Sequence, residues 1–177
     1  SSIEAFSDIS CFNPRTKLLS GGEYTLVLTD GGISIAKYRG KNVYSATRDH
    51  LLRPHGVFFG ISDGEESVSF TLLPDFTDGG ECEFEDSGVS YYKNTAKLRA
   101  GMRVTIHKSF PCEMRSFAIS NTGDKPLKAM LFGYIEPSLS GDSAEEAHPA
   151  FNKMFIDPDY DPELRLITVS RTDSEPN

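Results

Sequence analysis

Several residue types and patterns are scarce or absent in this sequence of 177 residues, and each absence excludes a class of protein. Tryptophan is missing, so the chain lacks the largest aromatic side chain that can stack against a sugar ring. Basic residues are in deficit, because 18 lysines and arginines face 26 aspartates and glutamates and leave a formal net charge of −8. Such an acidic chain is poorly suited to nucleic acid or to an anionic membrane surface. We therefore expect no nucleic-acid partner.

Long apolar runs are absent as well. No run approaches the roughly 20 residues that a membrane-spanning helix needs. Residues 1–5 (SSIEA) also lack the basic and apolar regions of a signal peptide. These absences predict a cytoplasmic protein with no membrane partner.

Cysteine is scarce, with Cys11, Cys82 and Cys112 far apart in the sequence. An odd number at wide spacing is not typical of a disulfide framework, and without a CxxC pair a thiolate zinc site is not favoured. His50 and His55 lie five residues apart in a polar stretch, which indicates a solvated loop more readily than a metal site. We predict reduced thiols, no metal and no cofactor.

Short runs of alternating apolar and polar residues are what the sequence has in quantity. About a dozen strand candidates follow one another at a spacing of about 8–12 residues. The clearest candidates are residues 24–29, 33–38, 43–46, 57–61, 67–72, 81–85, 89–93, 102–108, 112–121, 127–136 and 164–170. Residues 30–32 (DGG) and 86–88 (DSG) are typical hairpin turns, and no window has a sustained helical period. The pattern predicts an all-β fold, a large antiparallel β-sandwich that forms one domain.

Residues 136–156 interrupt this pattern, and we call them the focal segment. Their sequence is EPSLSGDSAEEAHPAFNKMFI, a small and acidic stretch that ends at a histidine–proline pair. Long ordered loops are usually functional, although a crossover between two sheets with no chemistry is the alternative. Residues 157–162 (DPDYDP) are expected to separate the focal segment from the last strand.

The focal segment carries the side chains with the clearest chemical potential. Asp142, Glu145 and Glu146 precede His148, and paired carboxylates are typical of glycosidic chemistry. They can bind a polyol through hydrogen bonds, but adjacent glutamates often only solvate a loop. The nearest aromatic platform is Tyr91–Tyr92, of which one ring must face the core if the run is a strand.

The histidine–proline pair predicts a rigid corner. Proline restricts the residue before it to extended backbone, which fixes His148. Phe151 and Phe155 would together leave an exposed apolar patch, so we expect at least one to pack on the sandwich. Lys153 is then expected on the polar side of the loop, near the three carboxylates. The alternative is that His148 only closes the loop through a backbone hydrogen bond.

Several motifs together resemble one family. Residues 19–26 (LSGGEYTL) are similar to the family pattern LSNGxYxxxxT, and residues 30–32 to its DxGxG turn. Residues 47–49 (TRD), 56–63 (GVFFGISD) and 113–121 (EMRSFAISN) follow in the family's order. Residues 148–156 (HPAFNKMFI) match HPAFxKLFI most closely. Over residues 18–170 the chain resembles the N-terminal domain of glycoside phosphorylases and cyclic β-1,2-glucan synthases. The family's tryptophans near residues 47–50 and 67–71 are absent.

The resemblance implies a mutarotase-like supersandwich that precedes a catalytic α/α toroid domain. It implies residues 1–17 as a lead-in, 18–170 as the sandwich and 171–177 as a tail towards that domain. The reaction implied is inverting phosphorolysis of a β-glucoside, with inorganic phosphate as co-substrate and the catalytic acid outside this chain. The implied assembly is a homodimer in which the focal segment lines the acceptor site of the partner subunit.

The same resemblance implies accessory substrate-binding residues and no catalytic residue in this chain. The accessory residues are Arg48, Asp49, Asp142, Glu146, His148, Phe151 and Lys153. Two alternatives stay open at this point. One is a stand-alone carbohydrate-binding module; the other is an aldose epimerase-type enzyme in which His107, His148 and Glu136 would converge on one face of a sheet.

Overall fold

Side chains that alternate between apolar and polar form strands with two unlike faces, and the computed structural model of the chain is built from such strands. The structure describes residues 2–9, 13–46, 56–71 and 80–172. Within these ranges it contains fifteen β-strands and two short α-helices. The strands are β1 (Glu4–Phe6), β2 (Thr16–Gly21), β3 (Tyr24–Thr29), β4 (Ser34–Tyr38), β5 (Lys41–Tyr44), β6 (Val57–Ser62), β7 (Ser67–Ser69), β8 (Glu81–Glu85), β9 (Gly88–Asn94), β10 (Leu98–Ile106), β11 (Glu113–Asn121), β12 (Met130–Ile135), β13 (Pro137–Ser140), β14 (Ile156–Asp161) and β15 (Leu166–Arg171). The helices are α1 (Asp142–Ala147) and α2 (Pro149–Lys153).

The first sheet is a meander of consecutive hairpins extended by a later strand, in the order β13-β5-β4-β3-β2. Its register places Leu26 opposite Leu19 on one side and Ala36 on the other. The β3–β4 turn needs the glycine at Gly32, where φ is +83° and an added Cβ would lie 1.9 Å from the carbonyl oxygen of Phe70. This turn therefore packs directly against the chain that follows β7.

The second sheet has the order β1-β8-β9-β10-β11. Its longest pairing joins β10 and β11 over nine residues each, from Leu98 opposite Asn121 to Ile106 opposite Glu113. A three-stranded sheet, β12-β6-β7, and the β14–β15 hairpin complete the described strands. Every one of these pairings is antiparallel, which confirms the predicted fold class.

The core lies between the two five-stranded sheets. Leu26 and Leu28 of β3 are fully buried, as is Val104 of β10, because alternate residues of both strands face inwards. The hydroxyl of Tyr91 on β9 donates a hydrogen bond to the carbonyl of Thr29 at 2.7 Å and links the two sheets. Burying these side chains supplies the main favourable term in the stability of the sandwich.

Most predicted strands are present with small shifts at their ends. β3 has the predicted bounds, and the continuously apolar run at residues 57–61 forms β6, the central strand of its sheet. Tyr91 is buried while Tyr92 is half-buried, so one ring of the pair faces the core as expected. Neither helix in the described part of the chain is long and apolar enough to cross a membrane.

Four strands and two helices were not predicted. β2, at residues 16–21, precedes the first strand candidate. β1 lies in the segment expected to be an irregular lead-in, and β13 and β14 contain prolines. β1 and β13 are edge strands, and β14 pairs only with β15, so a proline there removes no essential ladder hydrogen bond. Residues 157–162 do lie between the focal segment and the last strand, but residues 156–161 form a strand, β14, that was not predicted. The helices of six and five residues are too short for a helical period to be recognised.

Candidate functional site

The focal segment folds into β13 and two short helices that meet at a corner. His148 has φ −146° and ψ 68° and separates α1 from α2. Pro149 disfavours the helical conformation in the residue before it, yet proline is tolerated in the first turn of a helix. The histidine–proline pair therefore ends α1 and begins α2 at a fixed place.

Glu145 attaches α1 to the sandwich. Its side chain is only 6% exposed, and its Oε1 accepts a hydrogen bond from the backbone N–H of Ala46 at 3.0 Å. Its Oε2 accepts from Nδ2 of Asn42 at 2.8 Å and from Oγ of Ser138 at 2.9 Å. The carboxylate is thus satisfied by three donors, of which one lies on β13, one on β5 and one just after β5. This glutamate has a structural role.

Asn152 and Arg171 attach α2. The amide of Asn152 donates to the carbonyls of Ala144 and His148, which closes the corner between the helices. The guanidinium of Arg171 on β15 donates to Oδ1 of Asn152 at 2.8 Å and to its carbonyl at 3.1 Å. The same guanidinium lies 5.5 Å from the ring of Phe155. Both helices are therefore held by partners distant in sequence.

A small cavity lies beneath the focal segment. Its volume is about 30 Å³, and Ser45, Ser138, Glu145, Asn152 and Lys153 contribute to its lining. This volume is close to the space that one water molecule occupies in the liquid, about 30 Å³. The cavity is therefore too small for a sugar ring.

A buried charged network joins the two large sheets next to this region. Arg115 on β11 is 7% exposed at its side chain and contacts Oε1 of Glu113 at 2.9 Å and Oγ of Ser34 at 3.1 Å. The hydroxyls of Tyr24 and Tyr44 both donate to Oε2 of Glu113, at 3.1 and 3.2 Å. Burial, and then the nearby charge of Glu113, raises the pKa of each tyrosine well above its ordinary value. Both hydroxyls therefore stay protonated donors at neutral pH.

Sequence reasoning missed this network, although a signal for it exists. Glu113 and Arg115 are two residues apart on one strand and so lie on the same face. Two opposite charges on one face of a strand can form a buried ion pair when that face is covered by another sheet. The Glu-Met-Arg run contributed to the prediction only as part of the family resemblance.

Comparison with known families explains the combination of an antiparallel sandwich and the histidine–proline corner. The family model described as "Glycosyl hydrolase 94, supersandwich domain" matches residues 2–177. The chain belongs to this family. The match confirms the resemblance found in the sequence, and it identifies the described strands as those of a supersandwich domain.

One named protein is similar to this chain in amino-acid sequence. The cyclic beta-(1,2)-glucan synthase NdvB of Rhizobium meliloti (strain 1021) is 28% identical to the chain over 166 residues. This stretch covers 92% of the chain and 6% of the relative. The chain thus spans about one-sixteenth of the relative's length.

The sequence-predicted site residues fall into two groups. Arg48 and Asp49 lie outside the described residues. The other five lie on or beside α1 and α2, where Glu146, His148 and Phe151 are exposed, Phe151 to 53%.

Asp142 and Lys153 have definite partners on the sandwich. Oδ2 of Asp142 lies 2.5 Å from Nζ of Lys37, and its Oδ1 accepts from Nδ2 of Asn42 at 3.0 Å. Lys153 forms an ion pair with Glu136, the first residue of the focal segment, whereas the sequence pattern predicted it beside the carboxylates of α1. The ion pair ties the end of α2 to the start of β13.

Of the two phenylalanines of the focal segment, one is half-buried and the other is exposed. Phe155 is half-buried against Arg171, while Phe151 is exposed and meets the Phe155 ring edge to face at 4.9 Å. An edge-to-face pair stabilises both rings. Phe151 therefore stays at the surface in a defined orientation.

Two of the three residues weighed for epimerase chemistry, His107 and Glu136, have other side-chain contacts. Nδ1 of His107 accepts hydrogen bonds from the backbone N–H groups of Ser109 and Phe110, both at 3.1 Å, and so shapes the β10–β11 turn. Glu136 pairs with Lys153. These contacts explain both residues structurally and do not favour the epimerase interpretation.

The structure describes some, but not all, of the histidines and cysteines that were considered as metal ligands or disulfide partners. His50 and His55 lie outside the described residues, and within the described ranges no group of three or more metal-ligating side chains is found. Cys82 and Cys112 are free thiols, as predicted, while Cys11 is not described. Burial raises the pKa of Cys82 to about 12, so this thiol is protonated and unreactive.

Proposed function

We propose that this supersandwich domain is the N-terminal carbohydrate-binding and dimerisation part of a glycoside phosphorylase-like enzyme. The enzyme acts on β-glucosides by inverting phosphorolysis, with inorganic phosphate as co-substrate. Its catalytic acid belongs to an α/α toroid domain outside this chain, and the active assembly is a homodimer. A cyclic β-1,2-glucan synthase is the alternative parent, favoured by the name of the relative.

The observation that carries the proposal is the family match over residues 2–177, which makes a domain of a carbohydrate-active enzyme the starting point. The geometry of the focal segment supports it. Glu145, Asn152 and Arg171 fix the backbone from inside, so the outer side chains are presented on a rigid support. A preorganised surface loses little entropy when a ligand binds.

The outer side of the focal segment has chemistry that suits a sugar. Glu146 supplies carboxylate acceptors for hydroxyl groups, and His148 supplies ring nitrogens. Phe151 offers a ring that is about half exposed and can contact the C–H face of a pyranose. Together they form one wall of an acceptor site, completed by the catalytic domain.

Titration of the chain with β-1,2-linked glucose oligomers, followed by amide chemical shifts, tests this wall directly. We expect shifts at α1 and α2, and binding about tenfold weaker in Phe151→Ala and Glu146→Ala, a loss of one ordinary contact each. Leu164→Ala, which truncates an exposed apolar side chain on the β14–β15 hairpin, is the matched control. If Phe151→Ala and Glu146→Ala bind the oligomers as tightly as the native chain does, the focal segment is structural only.

A second measurement tests the division of labour between domains. The pure chain, incubated with β-glucosides in phosphate buffer, is expected to release no sugar phosphate, because the proposal places the acid elsewhere. In the enzyme that contains this domain, Glu146→Ala should raise the KM for the acceptor with little change in melting temperature. Turnover by the pure chain would overturn the proposal.

A further inference from the structure

Burial falls abruptly between β6 and β12, which are neighbours in one sheet. Val57 and Ile61 of β6 are 4% and 0% exposed, whereas their partners across the ladder, Ile135 and Leu131, are 56% and 44% exposed. Residues directly opposite in an antiparallel pair share one face, so all four side chains point to the core side of the sheet. The core is therefore covered over β6 and open over β12.

The facing sheet ends one strand too early to cover β12. The ring of Phe117 on β11 lies 5.3 Å from the ring of Phe59 on β6, so β11 lies across from β6. In the same way β9 lies against β7. Among the described residues β11 is the last strand of its sheet, and β12 lies beyond β6. One strand position, next to β11 and across from β12, is therefore open.

The free edge of β11 presents backbone hydrogen-bonding groups to this open position. At one end of the β10–β11 ladder, the N–H of Thr122 donates to the carbonyl of Lys97 at 2.9 Å. Bonded pairs alternate along an antiparallel ladder, so the backbone groups of Arg115, Phe117 and Ile119 point away from β10. They have no backbone partner among the described residues. A strand in the open position can bond to all three.

The exposed side chains around the open position are apolar. Ile119 on β11 faces the same side as Phe117 and is 44% exposed, although Ala100 opposite it is fully buried. We call the open position between Ile119 on β11 and Leu131 and Ile135 on β12 the edge slot. An extended segment with apolar side chains at alternate residues matches the edge slot, because every second side chain of a strand points to the same face.

The two strands beside the edge slot lack the features that protect the other sheet edges. β1 and β7 have three residues each, β13 contains Pro137 and a shift of register, and β2 carries Lys17. By contrast, β11 has nine residues without lysine or proline, and its two charges, Glu113 and Arg115, pair with each other. β12 has no charged residue. Long apolar edges of this kind are templates for a further strand.

A second copy of the chain does not fit the edge slot by pairing its own β11 with this one. The two-fold axis of such an antiparallel pair would place the β12-β6-β7 sheets of both copies on the same side of the joined sheet. Because β12 extends one strand beyond β11, β12 of each copy would occupy the place of β6 in the other. The occupant must therefore be a strand without a facing sheet of its own.

Two observations indicate where this strand comes from. The matched stretch is 6% of the length of NdvB, so most of the polypeptide of that relative lies outside it. Arg171, at the end of β15, donates to the carbonyl of Ser138, three residues after the end of β12. At about 3.3 Å per residue, a segment that continues from β15 can reach the edge slot within about ten residues.

From these features we propose that a β-strand of the parent enzyme, from the polypeptide beyond this chain, pairs with the free edge of β11 and packs its apolar side chains on Leu131 and Ile135. The inference rests on the part of the proposed function that makes this chain the N-terminal domain of a longer enzyme. The added strand completes the sandwich, so the domain and the polypeptide that supplies the strand form one folding unit.

Amide hydrogen exchange, measured residue by residue in the chain and in the parent enzyme, tests this pairing. In the parent enzyme the amides of Arg115, Phe117 and Ile119 should exchange at least about tenfold more slowly than in the chain alone, because they gain hydrogen-bond acceptors. The amides of Ser116 and Ala118, which bond to β10 in both proteins, are the internal control. Equal rates at the β11 edge in the two proteins would overturn the proposal.

Slow exchange at the β11 edge in the chain alone would also overturn it. If that protection rises with chain concentration, a second copy occupies the edge slot. If it does not depend on concentration, a segment of the chain itself occupies the slot.

Two adjacent residues of β12 give matched variants. Ile135 and Tyr134 are 56% and 54% exposed and lie on opposite faces of the strand. In the parent enzyme, Ile135→Lys places a charge in the edge slot and should abolish the added protection of the β11 edge, whereas Tyr134→Lys should keep it. In the chain alone, both variants should melt within about 2 °C of the native sequence, because both sites are exposed. Retained protection in Ile135→Lys would show that the strand does not pack there.

These measurements involve no sugar, so the inference and the proposed function can fail separately. Protection of the β11 edge in a parent enzyme that releases no sugar phosphate would reject the proposed reaction and keep the added strand. Phosphorolysis by a parent enzyme with an unprotected β11 edge would reject only the strand.

Discussion

The described chain divides near residue 104 into two regions that share strand structure but differ in burial. Every buried hydrophobic side chain of the described ranges lies at or before Val104. The exposed large hydrophobic side chains lie after it, apart from Ile3 and Leu18. Apolar composition alone therefore does not determine which strands form the core.

Two neighbouring strands show the difference most directly. β10 and β11 pair over nine residues and both alternate, yet β10 buries alternate side chains fully while no residue of β11 reaches that burial. β12 goes further, because all six of its residues are exposed, including Leu131 at 44% and Phe132 at 43%. Alternation fixes which side chains share a face, whereas burial requires a second layer on that face.

Arg115 crosses this division, and its removal should have the largest effect on stability. It lies on β11 but extends into the packed region, where Glu113 and Ser34 bind it. Arg115→Met is expected to cost about 3–5 kcal/mol, because Glu113 is left without its cation. Urea unfolding measures the loss.

The surface pair between Arg39 and Glu23 is the control for that prediction. Its side chains are 64% and 60% exposed, so Arg39→Met should cost much less stability than Arg115→Met. Similar losses in the two variants would mean that the guanidinium of Arg115 is solvated and that the regions are not linked through it.

A pair of leucine truncations compares the two regions directly. Leu26→Ala in β3 removes a fully buried side chain and should destabilise the chain by about 2–5 kcal/mol. Leu131→Ala in β12 removes a side chain that is 44% exposed and should change stability by about 0.5 kcal/mol or less. Equal losses would show that β12 is covered in solution, and a concentration dependence of the transition would then identify self-association.

Two adjacent glutamates test how α1 is anchored to the sandwich. Glu145→Ala leaves Asn42 Nδ2, Ser138 and Ala46 N–H without an acceptor and should cost about 1–3 kcal/mol. Glu146→Ala, at an exposed position, should change stability by about 0.5 kcal/mol or less. Amide hydrogen exchange in α1 measures the local effect and should be faster in Glu145→Ala than in Glu146→Ala. If the two variants exchange at the same rate, Glu145 does not hold the helix.

The glutamate pair also shows where sequence reasoning stops. The focal segment was recognised from its composition, and the family from ordered motifs, because both are written in neighbouring residues. Which glutamate is buried depends on the phase of a single helical turn and on Asn42, 103 residues earlier in the chain. A local pattern cannot encode that distance, so Glu146 was predicted for the site while the structural role of Glu145 was missed.

The strands were predictable for the same reason that the core was not. β3 was predicted with its observed bounds because period-two alternation is local. The exposure of β12 was not predicted, since its run of apolar residues resembles that of the well-covered β6. β13 and β14 contain prolines and were not predicted as strands, although edge strands tolerate proline.

The smallest expected effect is an acid-dependent loss of stability in the packed region. Arg103 donates to both carboxylate oxygens of Glu85, at 2.5 and 2.8 Å, and so links β10 to β8 across β9. These hydrogen bonds lower the pKa of Glu85 from its ordinary value of 4.5. A depressed folded-state pKa means that the stabilisation is complete above the unfolded pKa and is lost as the pH falls through the folded one.

Between pH 5 and the folded pKa of Glu85, the pair should therefore account for a loss of less than about 1 kcal/mol, the range of pairs near the surface. Arg103→Gln should remove that part of the acid dependence. Elsewhere its curve of unfolding free energy against pH should run parallel to that of the native chain. Hydrogen exchange adds the regional comparison, because acid should reduce protection along β8–β10 before it affects the β14–β15 hairpin, which lacks this pair. Identical acid profiles for Arg103→Gln and the native chain would show that the bidentate contact does not contribute to folding.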